Sequence, residues 1–264
     1  MTREAWIALA RAVSPHIDRC ELTHRQREPI DVDRAMEQHD AYCNLLASLG
    51  CDVIRLPELP NCPDAVFVED VAVVLDELAI LTRIGAESRR GETASVASAL
   101  REFRPLHRIE APGTMDGGDV LRADRSIFVG LSTRTNAEAV EQLRAIVEPH
   151  GYEVRTIEVN DCLHLKSSAT HAGRRVILFD PNQVSPGDFS GFDTLATTAV
   201  EPGAANVLVV GDTVVCSASF PNTGRRLQKL GFGVEFVESD ELAKAEGALT
   251  CCSLLFSAAI LPRS

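Results

Sequence analysis

The sequence predicts a mixed α/β fold in which five strand–strand–helix–strand units close into a ring, a five-fold pseudosymmetric α/β propeller of ββαβ units. Three observations predict it. The same order of elements recurs along the chain, short polar turns split apolar runs into hairpins, and the two ends of the chain together supply one more unit. An open doubly wound sheet would show simple strand–helix alternation and leaves the hairpins unexplained.

The first unit has β-rich runs at 66–75 and 78–82 around an acidic turn, a helical pattern at Val96, Leu100 and Phe103, and a short segment at 106–109. In the second, 120–121 and 127–129 flank the turn 123–125, followed by a helix over 137–148 and a strand over 152–159. Val140, Leu143 and Val147 repeat at helical spacing and face inward, Asn136 suits the N-cap, and Gly151 suits the stop. The third runs from Leu163 through 176–179 into a helix near 189–198. The fourth comprises 207–210, the turn 211–212, 214–216, a helix near 223–230 and a strand over 234–237. The fifth is split: 251–256 pairs with 7–13, then a helix over 33–49 leads to a strand over 51–56. Joining the ends in this way closes the ring and leaves a central hole, where a ligand site is expected.

Composition agrees with one catalytic domain spanning 1–264, since 264 residues bury most of their apolar surface without disulfides. A net charge of −12 argues against a nucleic-acid partner, which needs clustered Lys and Arg to neutralise phosphates. The opening Met-Thr-Arg-Glu-Ala-Trp lacks the pattern of a secretory leader, and nowhere do about 18 apolar residues run together. No membrane partner and a cytoplasmic location are therefore expected. The eight cysteines lack the paired spacing of a zinc site and read as reduced thiols.

Polar residues that break strand alternation fall near the starts of the units: Asp64, Glu69, Asp70, Asp116, Asp119, His164 and Cys251. If the ring is right, they converge at one mouth. Glu69 and Asp70 interrupt an apolar strand pattern, and a guanidinium would partner them, because its planar fork of N–H donors matches carboxylate geometry. Taken alone, the pair reads first as a hairpin edge with both acids in water. Asp116-Gly117-Gly118-Asp119 allows a tight turn before a strand, and by itself fits a structural turn as well as a site. His164 stands between two leucines on a strand pattern; its ordinary pKa near 6.5 suits proton transfer at neutral pH, yet a lone histidine is more often a satisfied core residue. Cys251 and Cys252 on a strand would point to opposite faces, and spacing does not say which thiol reacts.

Segments 64–74, 84–92, 115–120, 128–136, 163–167 and 249–253 together resemble, in order and spacing, the motifs of the dimethylarginine dimethylaminohydrolases. That family's superfamily has a five-unit α/β propeller fold, and the resemblance covers nearly the whole chain. It implies hydrolysis of N-omega-methylated arginines to citrulline and an alkylamine, with Cys251 as nucleophile and His164 as general acid and base. Asp116 would contact substrate and position His164. Asp70 and Glu69 would hold the guanidinium, Asp64 the substrate's amino end, and Phe67 would line the pocket. Arg89 and Arg134 would bind the α-carboxylate. Leu22 would belong to a mobile lid, matched loosely over 22–29, and Ala245 would offer its backbone carbonyl to the substrate amine. The small-molecule substrate is the one partner implied, with the chain a monomer or homodimer; no metal and no organic cofactor are implied.

Three rivals remain at this level. An arginine deiminase shares the chemistry but takes unmethylated arginine, and the segments around His164 and Cys251 resemble it less. A catalytically silent arginine-binding protein gains nothing from intact residues at all three catalytic positions. Another guanidine such as agmatine would leave Arg89 and Arg134 with no α-carboxylate to hold.

Overall fold

The computed structural model describes residues 5–159 and 161–258; the first four residues, on which part of the reading of the amino terminus rests, and the end of the 1–264 span lie outside them. It contains five separate three-stranded sheets. In each, two strands pair antiparallel, as a hairpin in four of the five, and a third lies parallel to one of them. A parallel return needs a crossover, and four of the five use an α-helix. These are Thr93–Leu100, Ala137–Val147, Pro221–Lys229 and Val32–Ser48.

The split unit forms as expected. Ser253–Ser257 pairs antiparallel with Trp6–Arg11, which pairs parallel with Cys51–Leu56. Consecutive units touch around the ring: Ser253–Ser257 meets Ala72–Val74, Val120–Ala123 meets Ala169–His171, and Ala169–His171 meets Leu208–Val210. The helix Val32–Ser48 closes it by packing on Gly233–Val237.

Local chemistry explains the helices. The Asn136 side chain accepts from Ala139 N–H, satisfying a donor that the first turn leaves free, and Gly151 takes a left-handed φ of 81° beyond the last turn. Val140, Leu143 and Val147 are buried on one face, each worth roughly 1.5–3 kcal/mol relative to exposure. Asp31 caps the longest helix by accepting from Arg34 N–H.

The structure corrects four local expectations. Over 189–198 there is no helix: a short 3-10 turn, Pro186–Phe189, leads into the strand Asp193–Ala196. Ser185 and Asp188 form a capping box that fits so short a turn, and Phe189 anchors it by complete burial. The run 66–75 is not continuous strand, because a 3-10 turn over Val68–Val71 precedes the strand Ala72–Val74. His164 lies on no strand but at the N-cap of a one-turn helix, Leu165–Ser168. Cys251 and Cys252 sit in a 3-10 turn, Thr250–Cys252, rather than on the following strand. The last three share a cause. The backbone coils into a tight turn just before a strand begins, and apolar runs conceal such turns from periodicity.

Candidate active site

Those turns build the site. Val68–Val71, Gly117–Asp119, the N-cap of Leu165–Ser168 and Thr250–Cys252 precede the first strands of four units, and they deliver Asp70, Asp116, His164 and Cys251 to one cleft. The cleft encloses about 360 Å³ including its open mouth, and Asp64, Phe67, Arg89, Arg134 and Ala245 also line it. Leu22 is not among the lining residues; it packs half-buried against the core cluster that contains Phe67 and Ala245.

The glycines of Asp116-Gly-Gly-Asp119 are needed for close approach. A Cβ on Gly117 would stand 2.0 Å from the carbonyl oxygen of Glu69, and one on Gly118 would stand 2.6 Å from His164 Nδ1. Gly118 N–H also donates to Asp70 Oδ1 at 3.2 Å. The turn therefore presses directly on the two neighbouring site elements, and only glycine leaves room.

His164 is buried, with Nε2 3.0 Å from Asp116 Oδ2 and Nδ1 3.8 Å from Asp70 Oδ1. Burial opposes a charged imidazole. Asp70, the bond to Asp116, and Asp119 outweigh it and push the pKa up to about 9. At neutral pH the ring is thus an imidazolium, an acid ready to donate. Asp70 in turn is held below the ordinary carboxylate range, because His164 and Arg89 overcome the cost of its burial.

Cys251 is half-buried in the cleft wall. Burial, Glu69 and Asp70 push its thiol well above the usual range, so the empty site holds a neutral thiol. Cys252 is buried behind it, and its Sγ lies 3.4 Å from the Ala248 carbonyl. The structure thus separates two thiols that spacing left equivalent.

Glu69 is buried too, against the expectation for an isolated acidic pair. Its Oε1 lies 2.5 Å from Lys166 Nζ, and its Oε2 accepts from Thr250 Oγ1 at 2.7 Å. Asn206 ties these partners together, donating to the Lys166 carbonyl and to Thr250 Oγ1, and accepting from Thr250 N–H.

Arg89 lines the cleft with its guanidinium already engaged. It pairs with Asp70 at 2.7 Å and Glu92 at 2.9 Å, and donates to the carbonyls of Asp64 and Phe67, each at 3.2 Å. Arg134 is less committed: it donates to Thr23 Oγ1 at 3.0 Å and lies 3.9 Å from the Glu21 carboxylate. Asp64 accepts from Glu21 N–H at 3.1 and 3.2 Å.

Sequence reasoning placed Asp119 near the mouth without a role and missed several other contributors. Asp119 is buried and accepts from Ser132 Oγ, Thr135 Oγ1 and Leu165 N–H, which fixes the turn bearing His164 to the second unit. Glu92, Lys166, Asn206 and Thr250 act behind the cleft, and Glu21, Leu163, Glu246 and Gly247 line it. A polar residue inside an apolar run was the available signal for Asp119, Lys166 and Thr250; Glu21 and Glu246 lie in segments with no periodicity to interrupt.

Asp70, Asp116 and His164 place three potential metal-ligand atoms within 4.8 Å of one another. Arg89 and the imidazolium already neutralise that group. The donor set holds a proton, and a metal would have to displace it.

A family profile described as N,N dimethylarginine dimethylhydrolase, eukaryotic, matches residues 11–179. N(G),N(G)-dimethylarginine dimethylaminohydrolase of Streptomyces coelicolor is 41% identical over 94% of this chain and 95% of its own. The Pseudomonas aeruginosa enzyme of that name is 37% identical over 86% of this chain and 90% of its own. The solved structure of a cysteine-to-serine mutant of the Pseudomonas aeruginosa protein with citrulline superposes with a TM-score of 0.91 at 34% identity, covering 97% of this chain and all of that one. With this agreement in sequence and in the five-sheet ring, the chain belongs to the dimethylarginine dimethylaminohydrolase family.

Proposed function

We propose that this chain is an enzyme that hydrolyses N-omega-methylated arginines, asymmetric dimethylarginine and monomethylarginine, to citrulline and dimethylamine or methylamine. The observation that carries the reading is a thiol, Cys251, in the same cleft as an imidazolium held by Asp116, with Asp70 beside the ring and paired to Arg89. The citrulline complex of the Pseudomonas aeruginosa relative supports the product.

The chemistry follows from these groups. A bound guanidinium brings positive charge beside Cys251 and offsets Glu69 and Asp70, so the thiol releases its proton to solvent. The thiolate attacks the central guanidinium carbon. His164 gives its proton to the departing alkylamine as that C–N bond breaks, leaving a cationic S-alkylthiouronium and a neutral imidazole. Water then adds to the same carbon and yields a proton to His164. The C–S bond breaks to release thiolate, and the remaining proton leaves to solvent as citrulline forms. Asp70 and Asp116 hold positive charge in place through both additions.

In the same reading, Glu69 and Asp70 face the guanidinium, Asp64 and the Ala245 carbonyl face the α-amine, and Phe67 walls the pocket. Arg134, with Arg89 behind it, receives the α-carboxylate, and Leu22 anchors the covering segment. The 264 residues act as one catalytic domain, a monomer or homodimer whose partner is the small-molecule substrate. A cytoplasmic setting is supported by eight free cysteines; no helix among the described residues is long and apolar enough to cross a membrane.

Citrulline formation from asymmetric dimethylarginine, monomethylarginine and arginine, with Cys251→Ser alongside, tests the reading. Product from the methylated substrates that disappears in the variant is expected. Turnover of arginine alone would make the chain a deiminase, and none with any of them would overturn the hydrolase reading.

A further inference from the structure

Between the 3-10 turn Ile17–Arg19 and the helix starting at Val32 the chain has no regular secondary structure, so side-chain contacts must set its course. One contact dominates. The carboxylate of Glu246 accepts three consecutive backbone N–H groups of this strap: Thr23 at 2.9 Å to Oε2, and His24 and Arg25 at 2.6 Å each to Oε1. Charge-assisted bonds of this kind are stronger than neutral ones, and three converging on one side chain fix both position and direction. Arg25 adds a bond from its guanidinium to the Ala243 carbonyl at 2.8 Å.

Glu246 is well placed to pass that constraint to the chemistry. It lines the cleft itself, immediately after Ala245, and holds a left-handed φ of 59°, a conformation uncommon for a residue with a Cβ. Two residues further on, the Ala248 carbonyl accepts from Cys251 N–H at 3.2 Å, so the backbone after Glu246 bonds directly to the nucleophile's turn. Across the cleft, the strap meets the groups proposed to receive the substrate's amino-acid end: Asp64 accepts from Glu21 N–H, and Arg134 donates to Thr23.

We infer that Glu246 is a positioning residue, whose carboxylate holds strap 21–25 in register over the cleft and so sets how tightly the amino-acid end of the substrate is gripped. The inference rests on the hydrolase reading for the substrate's identity. Glu246 acts through the strap and leaves the reacting carbon to other groups; its loss should therefore raise KM far more than it lowers kcat. A glutamine keeps one acceptor oxygen for His24 and Arg25 and sets an amide NH₂ against Thr23 N–H, so it should fall between glutamate and alanine.

The test compares the parent enzyme with Glu246→Gln and Glu246→Ala by amide hydrogen–deuterium exchange and by steady-state kinetics on asymmetric dimethylarginine. In the alanine variant, amides 23–25 should exchange on the order of tenfold faster or more while the strand Ser253–Ser257 is unchanged, and KM should rise severalfold with kcat within about twofold, glutamine being intermediate. Unchanged exchange at 23–25, faster exchange spread equally over Ser253–Ser257, or an unaltered KM would each overturn it. Exchange needs no substrate, so a parent enzyme inert toward methylarginines would sink the hydrolase reading while the tether to Glu246 was still decided.

Discussion

His164 Nε2 lies 3.0 Å from Asp116 Oδ2, and both side chains are buried. Nothing else among the described contacts joins the ring so closely to an acid, and Asp116 is itself fixed by accepting from Gly85 N–H at 2.7 Å. The pair therefore behaves as one rigid proton-holding unit. Replacing Asp116 by Asn keeps the shape and removes the charge. We expect kcat to fall by about 10²–10⁴, the range of a lost general acid. The alkaline limb of the kcat/KM profile should move below its parent position. A limb that stayed in place would show that Asp116 does not help hold the proton.

The same proton links stability to pH. The His164 pKa is raised from 6.5 to about 9 in the folded protein, so the folded state binds the proton more tightly than the unfolded chain. The stabilisation is complete below about pH 6.5 and is lost as pH rises through about 9. It is on the order of 3 kcal/mol at full strength for a shift of that size. Urea midpoints taken from pH 6 to 10 should fall for the parent and flatten for His164→Gln; parallel curves for the two proteins would refute this origin.

Much of this architecture was legible in the sequence, and the reason differs by element. Hairpins and helices showed because apolar spacing and caps are local: Asn136 and Gly151 mark the ends of Ala137–Val147 where expected. Ring closure was legible because Trp6–Arg11 and Ser253–Ser257 each lacked a hairpin partner nearby. Glu69, Asp70, Asp116, His164 and Cys251 stood out as polar residues in apolar surroundings, and the order of motifs assigned their roles. Of the four turns that aim them, the glycines marked the one at 116–119; the other three did not show, since a single helical turn is too short to have a period distinct from a strand. Contacts among distant segments were equally hidden: Glu246 matters through the amides of 23–25, which only folding brings near.

The thiol offers a direct chemical check. Because burial, Glu69 and Asp70 disfavour the Cys251 thiolate in the empty cleft, iodoacetamide should alkylate the free enzyme slowly at pH 7 and faster as pH rises. Peptide mapping should find the label on Cys251 and not on buried Cys252, and Cys252→Ser should leave the rate unchanged. Rapid labelling of the empty site at pH 7 would contradict a protonated resting thiol.

Gly118 bears on whether the cleft tolerates displacement of its acid. A Cβ there would stand 2.6 and 2.8 Å from His164 Nδ1 and Cγ, and 2.9 Å from Asp70 Oδ1. Overpacking of this kind costs about 1–3 kcal/mol when neighbours shift. Since the imidazole is tied to Asp116, the shift must disturb the catalytic geometry. Gly118→Ala should remain folded by circular dichroism yet lose about 10²-fold or more in kcat, as misplacement by about 1 Å does elsewhere. Near-parent turnover would mean that His164 can move without consequence.

Arg89 and Arg134 were expected to share the α-carboxylate, and the structure gives them different burdens. Arg89 is buried and spends its guanidinium on Asp70, Glu92 and two backbone carbonyls, so it has no bidentate face left for a ligand. Removing it would strand two buried carboxylates, a loss typically of about 3–5 kcal/mol. Arg89→Leu should therefore lower the urea midpoint sharply, and Arg89→Lys should restore little, since an ammonium cannot reproduce the planar fork. Arg134 makes one bond, to an exposed strap residue, and a longer contact with Glu21. Its replacement by Ala should leave the midpoint within about 1 kcal/mol of the parent, because its partners Thr23 and Glu21 are exposed and no buried charge is stranded, while raising KM for methylarginine. If Arg89→Leu instead kept parent stability and only raised KM, the α-carboxylate role would belong to Arg89 after all, and Asp70 would need another explanation for its charge.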